Sequence, residues 1–77
     1  MTKQSILEER KFCSKRIKSL RKEIMEETDK VIALTKIEEM SALAQRATNL
    51  DAMYAQIVSD EVDRQINSLL DLVMKGV

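Results

Sequence analysis

The chain reads as all-α: long helices forming a helical hairpin or a three-helix bundle with coiled-coil-like packing, completed by self-association or a partner. Three observations carry that reading. Proline is absent and glycine occurs once, at Gly76, so nothing inside the chain demands a sharp turn. A third of the residues are charged and only Phe12 and Tyr54 are aromatic, which is the composition of long helices. Apolar residues recur at three- and four-residue steps, and no segment shows the period-two alternation of a strand between turn signals.

At 77 residues the chain makes a single helical domain, 1–77, and buries only about 60% of its unfolded surface. Two or three helices are expected, over about 5–27, 30–47 and 50–75, with the first two continuous in the two-helix case. Ser5-Ile6-Leu7-Glu8 fits a capping box that opens the first helix. Ile17, Ile24 and Val31 then fall at heptad a positions, with Ile6, Cys13, Leu20 and Leu34 at d. Arg10 and Glu27 interrupt this seam. Its members Ile17, Leu20, Ile24, Val31 and Leu34 are the expected self-association surface, because so amphipathic a helix needs a partner for its apolar stripe.

Thr28-Asp29 offers a cap for a second helix, but the preferred break lies at Thr48-Asn49-Leu50, where Asn49 is a good N-cap. The segment before it is dense in alanine, which lets helices approach closely. Beyond it the apolar direction drifts. Leu50, Tyr54 and Ile57 share one side of a helix, while Val62, Ile66, Leu69 and Val73 point roughly 130° away. Such a segment either bends near Ser59 or meets two neighbours. Gly76 marks the end of the last helix.

The net charge is zero, yet residues 1–22 carry eight basic side chains against two acidic, and the remainder five against eleven. That asymmetry suits a basic arm for nucleic acid or lipid, or antiparallel packing of unlike ends. Cys13, the one cysteine, sits on the apolar stripe, so a small buried hydrophobe in a reducing compartment is expected. With no apolar run of signal-peptide type, the expected location is cytoplasmic.

Histidine is absent, which removes the commonest general base and transition-metal ligand. The acidic clusters Glu23/Glu26/Glu27, Glu38/Glu39 and Asp60/Glu61/Asp63 lack calcium-loop spacing and read as solvated helix faces. The run from Ile57 to Gln65 is similar to the last helix of helical chorismate mutases. The resemblance is confined to that run, and the arginine signatures of that family's first two helices are unmatched. No catalytic, cofactor-binding or metal-binding residues are assigned, and no enzyme activity, small-molecule substrate or membrane span is expected.

The expected partner-binding face is on the first helix. Lys11, Lys15, Lys18 and Lys22 form one stripe opposite the apolar seam, and Phe12 projects about 120° from the seam's centre. An aromatic anchor amid basic residues suits an interface core with a charged rim. The expected function is a non-enzymatic protein-binding module (a small adaptor, regulator or chaperone), with homo-oligomers among its assemblies. The alternative is a nucleic-acid-binding regulator that uses the basic helix without reading sequence, since base-readers and stacking aromatics are missing around the stripe.

Overall fold

A computed structural model describes residues 1–76. It shows an all-α helical hairpin: α1 (Lys3–Glu26) packs against α2 (Lys30–Lys75), with Glu27, Thr28 and Asp29 between them. The molecule measures 72 × 17 × 15 Å. A helix of 46 residues spans about 69 Å at 1.5 Å per residue, so α2 alone sets the length.

The start of α1 differs from the sequence expectation. Its N-cap is Thr2, whose hydroxyl accepts from the Ser5 backbone N–H at 3.1 Å, while the Ser5 hydroxyl accepts from the Thr2 N–H at 3.0 Å. Ser5 thus plays the reciprocal part of a capping box one turn earlier than expected, and Glu8 is left outside it, in reach only of Gln4. With the cap three residues upstream, the satisfied N–H groups are those of Thr2 and Ser5, and the helix gains about one turn.

The break falls at Glu27–Asp29, not at Thr48–Leu50. Asp29 caps α2, accepting from the Val31 and Ile32 N–H groups at 2.9 and 3.2 Å. Glu27 stabilises the turn from the other side: its carboxylate accepts from the Asp29 N–H at 3.1 Å and from the Lys36 ammonium at 3.5 Å. At the other candidate break the helix runs on. The Thr48 hydroxyl donates to the Ala44 carbonyl at 3.1 Å and the Asn49 side chain accepts from Gln45, so both find partners inside the helix. Leu50 is fully buried, and a turn there would remove it from the seam.

That seam is regular. On α2 the shielded positions are Ala33, Lys36, Met40, Leu43, Ala47, Leu50, Tyr54, Ile57 and Glu61, an unbroken sequence of three- and four-residue steps. On α1, Ile6, Cys13 and Leu20 are buried at heptad spacing, with Ile17 and Ile24 half-covered between them. Ion pairs fix the antiparallel register: Lys3–Glu61 at 2.9 Å, Arg10–Asp51 at 3.1 Å and Arg16–Glu39 at 3.2 Å. Cys13 then lies level with Ala47, and Ile6 level with Tyr54, within one core cluster. A cysteine opposite an alanine brings the two backbones close, as the small-residue argument anticipates, but only Ala47 among the alanines is buried.

Two further expectations are corrected. The α1 seam does not continue through Val31 and Leu34, because the turn at Glu27–Asp29 resets the helix phase; these residues are 72% and 60% exposed on α2. Gly76 does cap α2, but with φ −80° and ψ −6° it is right-handed, and its N–H donates back to the Leu72 carbonyl at 3.1 Å. Glycine's freedom is not used there.

Candidate functional site: two uncovered helical surfaces

The first surface is the outer face of α1. Lys11, Lys15, Lys18 and Lys22 are all exposed, and none takes part in an ion pair among the described residues. The arginines near them behave differently. Arg10 turns back from the seam to Asp51 and to the Ser14 hydroxyl, and Arg16 bridges Glu39 and Glu23. Folding therefore sorts the basic residues: these two arginines join the helices to each other, and the lysines remain for a partner. Hydrogen bonding to Glu39 raises the Arg16 pKa, and hydrogen bonding to Glu61 raises that of Lys3. Phe12 is 64% exposed at the border of the lysine stripe, one turn from Lys15.

The second surface was only half visible from sequence. α1 begins at Lys3, level with Glu61, so α2 runs on alone to Lys75 for about 20 Å. Where α1 stops, the stripe of α2 that faced it turns polar: Arg64, Ser68, Asp71 and Lys75 continue its spacing. The apolar direction swings to one flank, where Val62, Ile66, Leu69 and Val73 are 45%, 49%, 61% and 65% exposed. The sequence drift is real, and the helix stays continuous through it.

The expected self-association residues are distributed differently. Leu20 is fully buried inside the hairpin, so it is not available to another chain. Ile17 and Ile24 are half-covered, and Val31 and Leu34 lie exposed at the other end of the molecule. The sequence signal that could have found this is the length of the α2 seam, which from Ala33 to Glu61 is long enough to run beside the whole of α1.

No family model, curated protein or solved structure matches this chain. Its chemistry must be read from its surfaces. Half of the acidic-cluster residues serve the structure: Glu23, Glu27, Glu39 and Glu61 each bind a basic side chain. Two shallow depressions, one around Leu7 and Lys11 and one around Gln65 and Leu69, are each lined by a single helix, which cannot enclose a substrate. No helix is long and apolar enough to cross a membrane among the described residues.

Proposed function

We propose that this protein is a non-enzymatic protein-binding module, a small adaptor, regulator or chaperone that engages an acidic surface of another protein through α1. The observation that supports this reading is the free lysine face bordered by exposed Phe12, left over after Arg10 and Arg16 have been committed to α2. An exposed phenyl ring contributes by burial, which salt does not screen, and lysines around it contribute attraction and orientation. The buried, unpaired thiol of Cys13 supports a reducing, cytoplasmic setting. The reading includes self-association, supported by the apolar flank of α2 beyond α1.

The nucleic-acid reading rests on the same lysines, and one experiment separates the two. Tagged wild-type protein is compared with the fourfold variant Lys11→Gln, Lys15→Gln, Lys18→Gln, Lys22→Gln and with Phe12→Ala. Loss of partner capture from host extract in both variants, with weak retention on random duplex near physiological salt, is expected. Micromolar duplex binding that survives Phe12→Ala, falling by about 0.9 log unit per log unit of salt for each contacted phosphate, would select nucleic acid instead.

A further inference from the structure

The uncovered flank of α2 is longer than the overhang. Projected on a straight helix, Ile37, Ser41, Ala44, Thr48, Asp51, Ala55 and Ser59 lie on the same line as Val62, Ile66, Leu69 and Val73, about 100° on average from the line that faces α1. Ala44, Ala55 and Ile66 recur every eleven residues, a spacing that keeps side chains aligned along a nearly straight helix. Along this line the side chains are mostly small beside α1 and large beyond it. One half is a trough, the other a ridge.

We propose that this flank is the interface of an antiparallel homodimer, with the twofold axis at Ala55. In that register Asp51 of one chain meets Ser59 of the second copy next to the axis, Val62 meets Thr48, Ile66 meets Ala44, Leu69 meets Ser41 and Val73 meets Ile37. Large residues of each overhang fill the small-residue trough of the other hairpin, and each pairing occurs twice by symmetry. The inference rests on the self-association part of the reading above and not on the lysine face, which lies on the outside of α1.

Surface area argues for a second copy as the occupant. A compact monomer of 8.8 kDa exposes about 4,800 Å². This chain exposes 6286 Å², roughly 1,500 Å² more than the compact expectation. A standard interface removes about 800 Å² per partner, so the excess is ample for one full-length helix contact. Charge agrees: residues 62–75 balance Asp63 and Asp71 against Arg64 and Lys75, and residues 35–48, which face them in the second copy, balance Glu38 and Glu39 against Lys36 and Arg46. Arg64 and Asp71 stand on the opposite side of the helix from the ridge, so the ridge itself is apolar, and the one charge on the line, Asp51, is already paired with Arg10 of its own chain.

The test combines sedimentation with site-directed crosslinking in the full chain. Wild type should sediment at twice 8.8 kDa at tens of micromolar, and Ile66→Asp, a change at an exposed position of the hairpin, should return it to 8.8 kDa with its helical signal intact. Under mild oxidation Ala55→Cys should link to itself. Ala44→Cys should link to chains carrying Ile66→Cys and not to itself; buried Cys13 makes the wild type a suitable control. A wild-type chain that stays at 8.8 kDa overturns self-association itself. A dimer that survives Ile66→Asp, links Ala44→Cys to itself, or links Ile66→Cys to Leu69→Cys overturns only the proposed interface, in favour of another face, a parallel pair or a tip-to-tip overlap.

Discussion

Leu20 and Lys18 stand two positions apart on α1 and should respond very differently to truncation. Leu20 has no exposed surface, so Leu20→Ala should cost about 2–5 kcal/mol, the range for a buried large-to-small change. Lys18 is exposed and unpaired, and Lys18→Ala should stay within about 0.5 kcal/mol. From sequence, Ile24 looks equivalent to Leu20, since both sit on the heptad seam. It is only half-covered beside the shielded Lys36–Glu27 pair, and Ile24→Ala should cost clearly less than Leu20→Ala. Urea denaturation of the three variants checks the order, and equal losses for Leu20 and Lys18 would mean that α1 faces the other way. The buried role of Cys13 could be read at this scale, because one apolar stripe suffices to place it. The fates of Arg10 and Arg16 could not, because their partners Asp51 and Glu39 lie far away in sequence.

At the scale of elements, helix capping decided less than seam continuity. Asn49 is as good a capping residue as Asp29, yet only Asp29 caps a helix. Local signals favour the break at Thr48–Leu50, and burial of Leu50 and Ala47 against α1 overrides them. Asn49→Pro should therefore cost about 3 kcal/mol or more, since its ring would disrupt the helix interior at an exposed position where no core contact is lost. A turn at Thr48–Leu50 would tolerate that change. Asp29→Ala should cost about 1 kcal/mol through two orphaned N–H groups. Both are measured by thermal or urea melts. The far end of the hairpin is tied by Lys3 and Glu61, and the hydrogen bond between them holds the Lys3 pKa above the ordinary lysine value. Because the folded value is raised, this contribution is complete below the unfolded pKa and disappears as the pH rises through the folded one. Stability at neutral pH should be indifferent to the Lys3 titration. NMR titration of the Lys3 ammonium should show the elevation, and Glu61→Gln should reduce it.

The whole molecule is governed by unequal helix lengths. A turn at Glu27–Asp29 gives the chain a first helix about half as long as the second, and the remaining third of α2 has nothing of its own chain to pack against. An isolated helical extension of this length is marginal in water, because its stability comes from a packed face rather than from propensity. The extension should therefore behave differently alone and in the proposed dimer. At low concentration, amide hydrogen exchange in residues 62–75 should be fast and uncoupled from the hairpin, in which Ile6, Cys13, Leu20 and Leu50 protect the slowest amides. As concentration rises, protection should spread along the extension, and the thermal midpoint of the whole chain should climb, since association stabilises only the folded state. Ile66→Asp should abolish both concentration effects and leave the slow amides of the hairpin unchanged. Slow exchange in residues 62–75 at every concentration would mean that the extension is stable by itself, and the link between its exposed apolar flank and assembly would be lost.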